Sequence, residues 1–437
     1  MLYHLYEMNH IALSPLRKIA KCQKEMLDTS YNPFANTVLH KSILASYELF
    51  ENSTRRYDKP EWKLPYTTIN GIPVPVEDRV VWSKPFGSLV HFKRADGHLD
   101  LIRKPGHVDP RILLVAPMSG HYATLLRATV EAFLPDHEVF ITDWTDVRNV
   151  PTSEGKFDLN DYINYLIEML EFIGPGAHVL GVCQPGPAVL AAASIMAEDN
   201  NPNRPASMTI MGSPIDPRKS PTAPNKLAEE KPMSWFRRNV IHTVPYPNKG
   251  FMRRVYPGFL QLAGFVSLNR GRHLKAGKEY FRNLVKGDND STEKHREFYD
   301  EYLAVMDMTA EFYLQTIEWV FKEFRLPKGE FMHEGKLVKP EAITDIALMT
   351  VEGENDDISG IGQTQAAHDL CVNIPADMQV DYVQPGVGHY GVFSGRRFRE
   401  EVAPRVKEFM RSNTNWKKEQ LAQQELARKM WKHLQKG

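Results

Sequence analysis

Gly181-Val182-Cys183-Gln184-Pro185-Gly186 sets a thiol at the junction of two unlike segments: an apolar run, His178 to Val182, and an alanine-rich run, Pro185 to Glu198. The first predicts a buried strand and the second a helix, so Cys183 falls on a strand–turn–helix bend that lifts one side chain above a sheet edge, a nucleophile elbow. A thiol gains there twice. The positive end of the helix stabilises a thiolate, and the backbone N–H of Gln184 points at an oxyanion forming beside the sulfur. Pro185 stands where such elbows carry glycine. As a first-turn proline it gives up only an N–H that has no partner in the helix.

A lone cysteine behind an apolar strand is ordinarily a small buried hydrophobe. Two later motifs change that balance. Gly353-Glu-Asn-Asp356-Asp357 follows the apolar run ending at Val351, and Gly388-His389-Tyr390-Gly391 follows the run ending at Val383. Both sit at the C-terminal ends of expected parallel strands, where open α/β sheets bind ligands. The order nucleophile, acid, histidine is the α/β-hydrolase order. These spacings name Cys183 as nucleophile, Asp356 as acid and His389 as base, with Asp357 left to cap the following turn.

Pro117-Met118-Ser119-Gly120 follows the strand Ile112 to Ala116, so a second oxyanion N–H is expected from Met118 or Ser119. His121, on the same loop, is a rival base. Asp143, Asp146 and Arg148 rim the next strand end, where a local Asp–Arg pair shaping the loop is the simpler reading. Ser213, in Gly212-Ser213-Pro214, is an alternative nucleophile, but no elbow helix follows it. Asp288-Asn-Asp290-Ser-Thr292 resembles the start of a calcium loop, yet Glu293 occupies the position that needs glycine. Cys22, Cys183 and Cys371 are too scattered for a disulfide framework or a zinc site. No metal and no cofactor is expected.

The elements that must position these groups are legible as an alternation. Strand-like runs at Ile112–Ala116, Glu138–Thr142, His178–Val182 and Ser207–Met211 are separated by helical runs at Ala123–Phe133, Leu159–Phe172 and Pro185–Glu198. Continuous apolar strands in such alternation predict a mostly parallel central sheet flanked by helices, an α/β fold. Shorter β-like runs lie between Trp62 and Arg94. The alternation stops from Lys219 to Lys339, where no strand is expected and a long helix, Ser291 to Arg325, opens on a capping box of Asp290 and Glu293. It resumes with Asp345–Val351 and Val380–Val383. The chain thus divides into an N-terminal helical extension (1–60), the first part of the core (61–216), a helical cap (217–340), the second part of the core (341–412) and a basic C-terminal helix (413–437) with Leu426, Met430 and Leu434 in register. Within the extension, Ser14-Pro15 reads as a helix start, and Thr37 to Phe50 as a helix with Val38, Ile43, Leu44, Tyr47 and Leu49 on one face. In the cap, segment 291–325 is the expected substrate-binding wall, with Phe312, Tyr313, Trp319 and Phe321 available to line it.

The chain has 437 residues, 54 Lys plus Arg and 54 Asp plus Glu, so a protein gripping nucleic acid with its whole surface is excluded. The basic stretch Arg253 to Lys286, with Tyr256, Phe259, Phe265, Tyr280 and Phe281, carries no nucleic-acid motif and reads as a solvated or surface-contacting cap face. No apolar run is long enough to span a bilayer. The start of the chain lacks the pattern of a signal peptide, so a reducing, cytoplasmic setting is expected.

Beyond these spacings, the sequence resembles the intracellular polyhydroxyalkanoate (poly(3-hydroxybutyrate)) depolymerases nearly end to end. The Met1-Leu-Tyr opening, Asp143-Trp-Thr-Asp-Val-Arg-Asn-Val-Pro151, Gly181-Val-Cys-Gln-Pro185, Met211-Gly-Ser-Pro-Ile-Asp216, Phe298-Tyr-Asp-Glu-Tyr-Leu-Ala-Val-Met-Asp307, Glu311-Phe-Tyr-Leu-Gln-Thr316 and Gly386-Val-Gly-His-Tyr-Gly391 carry that resemblance. It implies the α/β-hydrolase fold, Cys183, Asp356 and His389 as the triad, and a cytoplasmic, granule-associated enzyme that mobilises stored polyester, with the granule surface as its partner. It leaves the oligomeric state open, a homodimer included. The related polyester synthases carry a second glycine where Pro185 stands, which favours the depolymerase. A synthase, a thioesterase using CoA as acceptor, and a non-catalytic granule-coat protein are the competing readings. The N-terminal helix or the basic tail is expected to touch the granule.

Overall fold

The computed structural model describes residues 2–434 apart from 30–32, 36, 105–106 and 269. Met1, the side chains of Phe265 and Leu434, and the tail beyond Leu434 lie outside the described residues. Among the described residues nine strands form one sheet: β1 Tyr66–Ile69, β2 Ile72–Lys84, β3 Gly87–Arg94, β4 Arg111–Val115, β5 Glu138–Trp144, β6 His178–Val182, β7 Ser207–Met211, β8 Ala347–Gly353 and β9 Gln379–Gln384. Their order is β1-β2-β3-β5-β4-β6-β7-β8-β9. The first three strands and the β3–β5 pair are antiparallel, and every pair from β5 to β9 is parallel. An antiparallel edge followed by parallel strands with β5 and β4 exchanged is the α/β-hydrolase arrangement.

The parallel strands are apolar throughout because both faces are covered. Along β4, Leu113 and Val115 join one buried layer, and Ile112 and Leu114 the opposite one. The Leu159–Ile173 and Gly186–Glu198 helices complete the first layer; the Arg127–Phe133 and Ala403–Ser412 helices complete the second. Ile163, Leu166, Leu170 and Ile173 all point inward, as their spacing predicts.

The insertion between β7 and β8 differs from the expectation of a purely helical cap. Three short strands, His242–Thr243, Arg254–Tyr256 and Met308–Thr309, form a small sheet, and Met332–His333 pairs with Lys336–Leu337. The long helix expected from Ser291 is broken accordingly. It ends at Tyr302, and a second helix, Ala310–Gln315, runs on as a π-helical turn over Thr316–Lys322. Its start also shifts: Asp288 accepts from the Ser291 N–H and caps the Asn289–Tyr302 helix. Strands of two or three residues are too short to show an alternating pattern, which is why the sequence hides them.

One terminal segment departs from its expected character. In the Val38–Thr54 helix, His40, Ala45 and Glu48 are buried, whereas Val38 and Ile43 are exposed. Glu48 accepts hydrogen bonds from Lys24 and Tyr280 and pairs with Arg296, so a polar knot faces inward. The C-terminal helix, Trp416–Leu434, lies against the core, with Leu426 and Met430 on the packed side as their register predicts. Glu419 and Arg111 form a fully buried ion pair at 2.7 Å, and Leu426 is buried beside them.

Candidate active site

Cys183 has φ +67°, the left-handed conformation that a side-chain-bearing residue adopts only under constraint. The chain reaches it from β6, whose pairing with β7 extends one step through the Cys183 N–H to the Met211 carbonyl (2.8 Å). It leaves through Pro185 at the N-cap into the Gly186–Glu198 helix, with Pro187 in the first turn. The bend is therefore a true elbow, and Pro185 sits one position earlier than a first-turn proline. Glycine is needed at Gly186 because a Cβ there would lie 2.4 Å from that of Ser213.

The acid and the histidine come from the next two strand ends. Asp356 is buried, with Oδ1 accepting from the N–H groups of Ile358 (2.8 Å) and Ser359 (2.9 Å). Asp356 itself thus caps the turn assigned to Asp357, and Asp357 is exposed. The other oxygen, Oδ2, accepts from His389 Nδ1 at 2.8 Å. A carboxylate only accepts, so the Nδ1 proton is fixed and Nε2 is left for the hydrogen bond between His389 and the Cys183 side chain. Burial pushes the imidazolium toward losing its proton. The Cys183 charge and the bonds to Asp356 and Cys183 outweigh that burial and hold His389 well above its ordinary range. Gly212 closes the site from below: a Cβ there would stand 3.3 Å from both Asp356 Oδ2 and His389 Cε1. All three residues singled out by spacing meet over one sheet edge.

The expected oxyanion donors also line this site, in an arrangement the sequence did not indicate. The Met118 N–H donates to Oε1 of the Gln184 side chain at 3.1 Å, so one donor is occupied from within. The cap braces that loop. The Gly120 carbonyl accepts from the Met306 N–H at 2.7 Å, and Gln261, reaching from the Gly258–Leu268 helix, would touch a Cβ at Gly120.

The rival residues have other employment. His121 is buried; its Nε2 meets the Tyr302 carbonyl at 3.0 Å, and burial depresses it to about 4, so the ring stays neutral at pH 7. Asp146 pairs with Arg148 at 2.7 Å, as the loop-shaping reading expects. Ser213 is buried, with its hydroxyl on the Cys183 carbonyl. Cys371 is buried and its thiol pushed up to about 12, while Cys22 is exposed on a helix of the extension. Arg253 is not a surface cation: its guanidinium donates to the carbonyls of Val150, Gly155 and Pro151.

Above Cys183 opens a cavity of about 330 Å³. Met308, Phe312, Tyr313, Ile317 and Phe321 supply part of its wall, as expected of segment 291–325. Trp319 faces elsewhere and packs on Phe331 at 5.6 Å, because the π-helical turn rotates it out of register. The opposite wall, from Ala223 to Phe236, belongs to two helices with no distinguishing motif in the sequence. The lining is mostly apolar, with Ser119, Gln184 and Ser359 among its polar groups. Among the described residues no group of three or more His, Cys, Asp or Glu is arranged to hold a metal ion, and no helix is long and apolar enough to cross a membrane.

Residues 212–414 match the protein family described as PHB de-polymerase C-terminus. The matched span holds Asp356, His389 and the whole cap, while Cys183 lies ahead of it. Three solved structures similar to the chain are a thermophilic esterase from Thermogutta terrifontis, a putative lipase from Acinetobacter baumannii and 2-hydroxy-6-oxo-6-phenylhexa-2,4-dienoate hydrolase from Rhodococcus sp. strain RHA1. The esterase is 13% identical over 80% of this chain and 98% of its own, with a TM-score of 0.40. The lipase is 12% identical over 78% and 93%, at 0.38. The third is 11% identical over 77% and 99%, at 0.40. No curated protein matches the chain. The strand order, rather than these likenesses, carries the fold assignment. That match, on an α/β-hydrolase sheet, supports ester hydrolysis as the chemistry.

Proposed function

We propose that the protein is an intracellular depolymerase that cleaves ester bonds of stored poly(3-hydroxybutyrate) or a related polyhydroxyalkanoate through a cysteine acyl-enzyme. The observation that carries this reading is the chain of contacts from Asp356 through His389 to Cys183, on a strained elbow beneath an apolar cavity. In this reaction the resting pair is a Cys183 thiolate beside a His389 imidazolium. The sulfur attacks the ester carbonyl of a 3-hydroxyacyl unit. Its oxygen takes the Gln184 N–H and displaces the Gln184 side chain from the Met118 N–H, with the Ser119 N–H adjacent. His389 Nε2–H then protonates the departing 3-alkoxide, a poor leaving group at neutral pH without that proton. A water molecule, deprotonated by the now neutral His389, attacks the thioester; the acid leaves and the thiolate–imidazolium pair is restored.

An alkyl polyester suits a wall of Phe312, Ile317, Phe321 and Leu227, which strips water from the chain without offering polar partners. For the contact with the granule, the extension is favoured over the tail. Leu5, Met8, Ile11, Leu16, Ile19 and Met26 are all exposed on its first two helices, whereas the tail helix is fastened by Glu419 and Leu426. An amphipathic helix with lysines beside an exposed apolar face is the form that settles on an apolar surface. The decisive experiment is release of 3-hydroxybutyrate from amorphous polymer granules. Wild type is expected to release it and Cys183→Ala to be inert with an unchanged thermal transition. Full release by the variant, or polymer formed by wild type from 3-hydroxybutyryl-CoA, would refute the proposal.

A further inference from the structure

We infer that Ser213 is a positioning residue for the reaction: its hydroxyl holds and polarises the peptide group whose N–H is the oxyanion donor. This rests on the reading of Cys183 as the nucleophile. The Ser213 Oγ lies 2.6 Å from the carbonyl oxygen of Cys183 and 3.2 Å from that of Met211. One proton serves two acceptors, and the shorter contact takes it. The carbonyl of Cys183 and the N–H of Gln184 belong to a single planar peptide unit, so whatever fixes the first aims the second. Here two donors grip the carbonyl from below, the Ser213 hydroxyl and the Gly186 N–H at 3.2 Å. The Gln184 N–H is thereby turned toward the sulfur's side of the bend. Hydrogen bonding at the carbonyl also draws charge along the amide and makes its N–H a stronger donor, an effect on the order of 10–30% per bond.

Ser213 is itself immobile. Its N–H donates to Thr364 Oγ1 at 2.7 Å, and that hydroxyl returns a bond to the Ser213 carbonyl at 3.0 Å. The Thr364 N–H is in turn held by Glu352 Oε1 at 2.7 Å. Ser213, Thr364 and Glu352 are all buried, so the chain of bonds runs through a region without competing water. The arrangement accounts for two separate sequence motifs at once. Glycine at 186, one position later than elbows usually place it, leaves the space that the Ser213 side chain fills. Gly212-Ser213 then delivers a hydroxyl to the elbow with one residue while the other clears Asp356 and His389.

The test separates oxyanion formation from thiolate reactivity. Turnover of 4-nitrophenyl butyrate passes through an oxyanion; alkylation of Cys183 by iodoacetamide, followed on the Cys183 peptide by mass spectrometry, does not. Ser213→Ala is expected to lower kcat about tenfold, well short of the 10²–10³ that follows loss of a whole donor, with KM and the alkylation rate each within about twofold of wild type. Ser213→Cys, a weaker donor in similar space, should recover part of kcat. Unchanged kcat in Ser213→Ala overturns the inference. So does an equal fall in kcat and alkylation, which would mean collapse of the elbow, and so does Ser213→Cys doing no better than Ala. Ester turnover retained by Cys183→Ala would remove the underlying reading instead; an inert Cys183→Ala beside a fully active Ser213→Ala would sink this inference alone.

Discussion

The bond from the Met118 N–H to the Gln184 side chain places a definite barrier in front of the chemistry. A neutral hydrogen bond of this kind contributes about 0.5–1.5 kcal/mol net, and a substrate carbonyl must replace it before the second oxyanion donor can act. Removing the side chain beyond Cβ leaves the Gln184 backbone N–H in place and opens the Met118 donor. Gln184→Ala is therefore expected to raise kcat/KM for a soluble short-chain ester by about two- to thirteenfold, the same energy read as a rate. Gln184→Glu should act oppositely. A carboxylate at that position accepts more strongly, at about 1.5–3 kcal/mol, and repels the negative charge growing on the substrate, so kcat/KM should fall at least about tenfold. The assay is steady-state release of 4-nitrophenol from the butyrate ester at pH 7, with thermal unfolding to show that both variants remain folded. A Gln184→Ala enzyme tenfold slower than wild type would refute the argument: the side chain would then be locating the Met118 loop rather than occupying it.

Four further outcomes follow from the structure. His389 is held above its ordinary pKa, so its proton is present below that raised value and is lost as pH rises through it; turnover that needs the imidazolium should extend above pH 7 and decline on the alkaline side. Asp356→Asn removes part of that support, and should move the alkaline limb of the pH–rate profile to lower pH while cutting kcat about 10²-fold or more; an unmoved limb would count against the pairing. Glu419→Ala strands a fully buried Arg111 guanidinium, so urea unfolding should show a loss of about 3–5 kcal/mol, and a change below about 1 kcal/mol would mean that water reaches the pair. Replacing Leu5, Met8 and Ile19 together by serine should abolish sedimentation with polymer granules and leave hydrolysis of the soluble ester within about twofold of wild type, since all three side chains are exposed and none lines the cavity.

What was legible in the sequence was local. Cys183, Asp356 and His389 each belong to a short motif that follows its own apolar strand, and parallel strands deliver their ends to one edge whatever lies between them. The residues that tune the site are not local. Gln184 meets Met118, and Ser213 meets Cys183, across separations that leave no periodic trace. The cap was misread for a related reason. Its small sheet is made of strands two or three residues long, and the walls it lends the cavity come from several helices together with Tyr256 and Met308 of that sheet.

The Val38–Thr54 helix shows the limit of periodicity most clearly, because there the expected face is split: Val38 and Ile43 are exposed, while Leu44, Tyr47 and Leu49 are half-buried. A stripe of apolar residues along a helix says that two faces differ; it does not say which of them is inside. Here the inside was decided by Glu48, which gathers Lys24, Tyr280 and Arg296 into one knot between the extension and the cap. Satisfying three donors around one carboxylate fixes the helix with that face inward. Val38, Leu39 and Ile43 are then left exposed, as are Leu5, Met8, Ile11, Leu16, Ile19 and Met26 of the two preceding helices. A surface of that kind is unfavourable in water and is kept where something apolar covers it. The polar knot that defeated the helical pattern is thus also the feature beside which those side chains stay exposed, and the proposed granule contact draws on them.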